Sequence, residues 1–335
     1  MANVTNEDKI EADHYNSLYQ TIYDVLGPGE GSYGYGQTLN SSLVNNNMTV
    51  SAQQMENLRK DINRANLHQF NSTTTLGVIT TGDMIGADAS GPDPTNLSEE
   101  TKGHNDYNSA VIAIYNNALL LGEDQSSIET ALESTRTTPW NTQIEHSFKV
   151  TFTDYNHRRY FFNSGGEIRI NAELSGSSLQ DDSTSKDYNW AQMLNNMQTI
   201  VFSHSGTSNT GSSGTSYNIG HVNLTVSDTF SPSTKIFEKF GTGEFYSENS
   251  YTIYARQATA NATIIYFKIV MSDSDSGDQP IFPLPPGGSP GGVDENVLSG
   301  GGSIRSTIRQ RRATEVTPGT SVEVATPSYE NISNL

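Results

Sequence analysis

The sequence predicts an α+β chain of several parts. These are a small N-terminal helical domain (residues 1–135), a central antiparallel β-sandwich with one short helix (136–272), a Pro/Gly linker (273–302) and an extended C-terminal arm (303–335). Three observations carry this division. Apolar residues recur at spacings of three and four up to about Leu121, the period of a helix with one buried face. From Pro139-Trp140 they alternate with polar residues, the period of a half-buried strand. After Ser272 the chain turns to Pro, Gly and Asp, which cannot build a core.

Residues 1–6 read as a loose arm, and a helix is expected from Glu7 on the stripe Tyr15, Leu18, Ile22 and Val25. Gly27-Pro28-Gly29 stops it. The next stretch, GPGEGSYGYGQ, contains Gly29, Gly31 and Gly34 in a GxGxxG spacing. A dinucleotide fingerprint must leave a strand and open a helix. This one leaves a helix and enters Asn/Ser-rich sequence, so it reads as a loop anchored by Tyr33 and Tyr35. Ser51 with Gln54 forms a capping box ahead of the stripe Met55, Leu58, Ile62 and Ala65, predicting a helix to about His68–Phe70. Arg59, Lys60 and Arg64 fall mostly off that stripe and read as a basic face turned to solvent or to acidic protein.

Residues 71–103 are a long polar excursion in which Val78–Ile79 and Met84–Ile85 are expected as a small hairpin or as local anchors. Loops of this length in compact domains are usually functional or belong to contacts. A third helix is predicted over Asn105–Leu121 on Tyr107, Val111, Ile114, Ala118 and Leu121, and a weaker one over Ser126–Ser134.

In the sandwich, Phe148, Val150 and Phe152 mark a first strand, NHRR (156–159) a turn, and Tyr160–Phe162 the return. Gly165-Gly166 then leads into Ile168, Ile170, Ala172 and Leu174, which alternate with Glu167, Arg169, Asn171 and Glu173. Trp190, Met193, Leu194 and Met197 lie on one helical face, before a short strand at Thr199–Phe202. This Phe161–Phe202 stretch reads as the folding centre of the β-domain, with Ile168, Ile170, Leu174, Trp190, Met193, Leu194 and Met197 as structural core. Further strands are expected at Val222–Val226, Lys235–Phe240, Tyr251–Gln257 and Thr263–Met271.

Composition limits the function classes. Hydrophobic residues are 33% and charged residues 17%, against about 45–50% (a figure that also counts Gly) and about 25% in typical domains. Asn, Ser, Thr and Gly fill the difference, which suits β-structure with polar loops. A net charge of −18 argues against nucleic acid as a partner of the whole chain. There are no cysteines, so disulfides and thiolate metal sites are excluded. No apolar run is long enough to span a membrane, and MANVTNEDKIEAD lacks the apolar core of a signal peptide.

No constellation for chemistry emerges. The seven histidines show no spacing of three or four, and only His146 and His157 stand near enough for a hairpin to join them as metal ligands. No GxSxG, P-loop lysine or HExxH is present. DSDSGD, with Asp273, Asp275 and Asp278, lacks the ligand pattern of a calcium loop and reads as a solvated acidic linker. Glu167 and Glu173 share the outer face of one strand without the cleft of a glycosidase pair. No catalytic, cofactor-binding or metal-binding residue is assigned, and no cofactor is expected. The arginines Arg305, Arg309, Arg311 and Arg312 are too few on so acidic a body for a nucleic-acid arm. They read, with Tyr33 and Tyr35, as subunit-contact candidates, the arm docking on an acidic neighbour such as a second copy.

LYQTIYDVLGPGEGSYGYGQTLNSSLV followed by VSAQQMENLRKDINRANLHQ resembles the N-terminal module of virion structural proteins of contractile-tailed phages of marine bacteria and cyanobacteria. RRYFFNSGGEIRINAELSG, with NWAQMLNNMQTIVF beyond it, is similar to a recurrent module of the same proteins. Together they cover most of residues 7–272. The resemblance implies a non-enzymatic virion protein, made in the host cytoplasm and forming a homo-oligomeric ring or fibre at the neck, tail or baseplate with other virion proteins. The competing expectation is recognition of a host-surface glycan by the Tyr/Asn/Gly loops at 29–37 and 205–218. A polysaccharide depolymerase would need a pair of acids in a cleft, which the sequence does not offer.

Overall fold

The computed structural model describes residues 11–45, 48–81, 103–176, 185–242, 246–275, 296–314 and 320–333. The expected features at residues 1–6, Met84–Ile85 and Asp278 lie outside them. The chain forms two compact units, each built from separated segments. The first takes Met1–Ser127, Asn156–Gly166 and Arg312–Thr326, and the second Ile128–Tyr155, Glu167–Arg311 and Pro327–Leu335. The architecture is α+β, with helices first and two antiparallel sheets after them.

In the first unit α1 (Ala12–Val25), α2 (Ala52–Phe70) and α3 (His104–Asn116) match the predicted stripes. Tyr15, Leu18, Ile22, Met55, Leu58, Ile62, Tyr107, Val111 and Ile114 are buried together in this unit. The capping box is in place: Ser51 Oγ accepts from Gln54 N at 3.3 Å, and Ser51 N donates to Gln54 Oε1 at 2.8 Å. Asn71 ends α2 in the left-handed region, and Gly122 N donates to the carbonyl of His68 at 2.8 Å. The basic face of α2 is not all solvated, since Arg64 donates to Ser321 O, Thr38 O and Gln37 Oε1.

The predicted turn at 156–159 is part of a helix, α4 (Tyr155–Asn163). Phe161 and Phe162 are both fully buried, which two successive strand residues on a one-sided sheet would not be.

The second unit is a sandwich. One sheet has the order β1 (Ser126–Arg136), β10 (Ser303–Ala313), β3 (Glu167–Ser175), β4 (Ile200–Phe202), β5 (Thr207–Asn209). The other runs β11 (Ser328–Asn331), β2 (Gln143–Thr151), β9 (Ile264–Ser272), β8 (Ser250–Arg256), β7 (Lys235–Phe240), β6 (Thr215–Ser216). The sheets face each other: Phe202 of β4 meets Phe267 of β9 with ring centroids 5.4 Å apart, and His146 Nδ1 of β2 lies 2.9 Å from Ser306 Oγ of β10. Ile168, Ile170, Ala172 and Leu174 turn inward from β3. The helix α5 (Lys186–Met197) packs on β3 and β7 with Trp190, Met193, Leu194 and Met197 buried, and Trp190 meets Trp140 edge-on at 5.2 Å.

Further expectations are corrected. Ser126–Ser134 belongs to β1, because pairing with β10 overrides the helix propensity of its Glu, Ala and Leu residues. Val222–Val226 forms no strand; Val222 and Val226 are exposed, and only a bridge from Val226 to Gln257 remains. The linker is structured at both ends, with Asp273, Val297 and Leu298 buried. Finally, residues 303–335 are not an arm needing another subunit to order it. β10 pairs with β3 from Ser303↔Ser175 to Arg311↔Glu167, β11 pairs with β2, and Val322 and Val324 are buried in the first unit. The boundary of the helical domain shifts accordingly, from 135 to 127 plus two later segments.

Candidate functional site

The loop 28–36 is built as a receptor for a cation of its own unit. Arg159 of α4 donates to the carbonyls of Pro28 (2.8 Å), Gly29 (3.3 Å), Gly31 (3.5 Å) and Tyr33. Asn163 adds a bond to Tyr33 O at 2.8 Å. The chain closes this tightly because Gly34 has φ +99, and a Cβ there would lie 2.2 Å from Pro28 O. A phosphate-binding loop presents its amides to an anion. Here carbonyls converge on a guanidinium, the opposite polarity, and that gives the GxGxxG spacing its structural meaning.

Tyr35 is buried, donates to Ala118 O at 2.5 Å, accepts from Gln69 Nε2 at 2.8 Å and lies 4.6 Å from the His68 ring. Burial holds its phenol well above the usual tyrosine range. It is a core anchor rather than a contact residue. Tyr33 stacks on Tyr115 with centroids 4.7 Å apart.

That stack belongs to a surface the sequence pattern alone does not single out. On the side of α3 away from its buried stripe, Ile112 (40% exposed) and Tyr115 (37%) continue into Leu119 (42%) and Leu120 (45%) of the adjoining turn. Ile112 and Tyr115, three residues apart in α3, share one side of the helix, and Leu119 and Leu120 follow in the turn beyond Asn116. A helix apolar on two faces needs cover on both. The signal was in the sequence, since AVIAIYNNALLL carries more apolar residues than one stripe uses.

The four arginines are dispersed along β10 and its end. Arg305 reaches Glu133 of β1 at 3.2 Å and bonds Glu173 of β3. Arg311 lies 3.5 Å from Glu167, which also holds Arg169 at 2.8 Å. Arg309 is exposed opposite Arg169. Arg312 donates to Val324 O at 3.3 Å. The acidic neighbour expected for this basic run is therefore the chain's own β1 and β3. Exposed pairs of this kind add little stability, but they favour one cross-strand register.

Histidines meet in two pairs, His14 with His104 at 5.5 Å and His204 with His221 at 6.2 Å between ring centroids. His146 contacts Ser306, and burial with the Arg136 charge lowers its pKa to about 4. His157 lies beside Tyr160 in the first unit. Asp273 and Asp275 are buried, not solvated: Lys186 Nζ lies 2.9 Å from Asp273 Oδ2 and 3.2 Å from Asp275 Oδ1, and Asn249 Nδ2 donates to Asp275 Oδ2 at 2.8 Å. Burial, reinforced by the hydrogen bond that the protonated Asp273 donates to Asp275, pushes Asp273 up to about 7. Asp275 stays below the usual carboxylate range: burial opposes this, but the bonds to Asp273 and Asn249 and the Lys186 charge outweigh it. Among the described residues no group of three or more His, Asp or Glu side chains is placed to hold a metal ion, and no helix is long and apolar enough to cross a membrane.

No protein family matches the chain, and no curated protein or solved structure is similar to it.

Proposed function

We propose that the chain is a non-enzymatic structural component of a tailed-phage particle, built into a ring or fibre at the neck, tail or baseplate through contacts with copies of itself and with other virion proteins. The observation that carries the assembly part is the part-exposed apolar surface of Ile112 and Tyr115 on α3 with Leu119 and Leu120 in the turn after it. Such a face on a monomer is a contact surface or an aggregation hazard. The resemblance of residues 7–272 to phage virion modules supplies the setting. Of the two tyrosines that the competing glycan reading has in the first loop, Tyr35 is buried.

The test is the oligomeric state. Light scattering on the purified protein is expected to show an oligomer, and the double variant Ile112→Asp/Leu119→Asp is expected to be monomeric with unchanged far-UV circular dichroism. A wild-type protein that stays monomeric at high concentration overturns the assembly reading. For the virion assignment, antibodies against the chain should decorate one place on tailed particles; unlabelled particles overturn it.

A further inference from the structure

We propose that Lys186 and Asp273 become joined in the folded chain by an amide bond between their side chains, with Asp275 as the base that promotes the reaction. The proposal does not depend on the assembly reading above.

Three observations carry it. The first is burial. The side chains of Lys186, Asp273 and Asp275 are 1%, 1% and 2% exposed. Lysine is almost never this deep unless paired, and an ion pair alone is a weak reason for the burial. The second is distance. Lys186 Nζ lies 2.9 Å from Asp273 Oδ2, so the carbon to be attacked, Cγ, is one carbon–oxygen bond further on. Groups held in this way have already lost the freedom that makes the same reaction slow between separate molecules. The third is the unequal state of the two carboxyls. An amine attacks a protonated carboxyl, not an ionised one, and needs a base to take its proton. Burial and the bond to Asp275 hold the pKa of Asp273 at about 7, so below neutral pH it is the protonated partner. Asp275 stays ionised against its own burial, because Asp273, Asn249 and Lys186 all favour its charge.

The three groups are fixed from outside the cluster, and all lie in the second unit. Lys186 opens α5, where the next residue, Asp187, accepts from Leu298 N at 2.7 Å. Asp273 follows β9 directly, and its N–H donates to Thr142 O at 2.7 Å. The buried Asn249 aims Asp275: its Oδ1 accepts from Ser274 N at 2.7 Å and Asp275 N at 3.2 Å, while its Nδ2 donates to the Asp275 carboxylate.

The step balances without a further reactant. Lys186 Nζ gives one proton to the Asp275 carboxylate and attacks Cγ of protonated Asp273. The nitrogen–carbon bond forms, Nζ loses a second proton to the departing hydroxyl, the carbon–oxygen bond breaks and water leaves. The products are a neutral amide, one water and a protonated Asp275, with no change in total charge. The bond ties the start of α5 to the end of β9, 87 residues apart in the chain. Such a link restricts the unfolded chain as a disulfide does, in a sequence that has no cysteine to form one. Until the bond forms, the three groups behave as the ion cluster described above.

The test is the mass of the purified full chain under denaturing conditions. It is expected to be lighter than the 36.5 kDa sequence mass by one water molecule. A tryptic digest is expected to lack cleavage after Lys186 and to contain a branched peptide joining the segments of Lys186 and Asp273. Lys186→Arg keeps a cation in the cluster and should show the full mass of its sequence. Asp275→Asn should do the same while keeping the wild-type circular dichroism. A wild-type chain of full mass, with the linear peptide ending at Lys186 recovered, overturns the proposal. So does a loss of water that maps to a linear peptide containing Asp273, because an aspartate followed by serine also loses water by closing on its own backbone. A bridge that persists in folded Asp275→Asn overturns the role of Asp275 as base.

Discussion

Two buried charged clusters fix the behaviour of single residues. Arg159 satisfies carbonyls of a loop whose glycines bring them together, so removing it leaves several acceptors facing an empty site. Arg159→Ala is expected to cost about 3 kcal/mol, the scale of a lost set of charged hydrogen bonds with orphaned partners, read from urea unfolding of the first unit. Lys186→Met leaves Asp273 and Asp275 buried together without their cation and is expected to cost about 3–5 kcal/mol. The titrations have opposite signs. His146 is held at about 4 when folded and near ~6.5 when unfolded, so the unfolded chain binds the proton first. Its contribution is complete above ~6.5 and is lost as pH falls toward 4. Asp273, raised to about 7, contributes below ~4 and loses that contribution as pH rises through 7. Urea midpoints measured from pH 4 to 8 for His146→Phe and Asp273→Asn should flatten the acid-side and the neutral-side slope respectively.

At the level of elements, the sequence was readable wherever one face is apolar and the other polar. The stripes of α1 to α3, β2, β3 and the buried face of α5 all have that property. β10 lacked it. Its inner row is Ile304, Ser306, Ile308 and Gln310, half polar because Ser306 and Gln310 bond to other strands. The remaining signal was in the charges: Arg305, Arg309 and Arg311 fall at even spacings, the period of a strand rather than of a loose basic tail. α4 was hidden by its buried arginine Arg158 and by Asn-His-Arg composition typical of a turn. The α3 surface was visible as apolar excess but not assignable to a face until the buried stripe was known. Ile308 is fully buried at the centre of its sheet, so Ile308→Ala is expected to cost about 2–5 kcal/mol. The peripheral Ser51→Ala should cost about 1 kcal/mol, and thermal unfolding of the two variants orders them.

For the molecule as a whole, the net charge of −18 acts against compaction. Raising the salt concentration screens that repulsion over distances of about 10 Å or less, so the melting temperature is expected to rise between low salt and ~0.5 M NaCl. A fall would show that ion pairs such as Arg59–Glu56 and Lys268–Glu145 matter more than the overall charge.

The central place of β10 also has a consequence in time. Ser303 is joined to the chain 128 residues after its partner Ser175. At a synthesis rate of about 5–20 residues per second, β3 waits on the order of ten seconds on the ribosome for its neighbour. During that interval its free edge, like that of β1, is a template for pairing with any other nascent chain. Glu133, Glu167 and Glu173 line those edges, and their mutual repulsion keeps two unfinished chains from zipping together. Glu167 already has Arg169 on its own strand, but Arg305, the partner of Glu133 and Glu173, arrives only with the strand that closes the sheet.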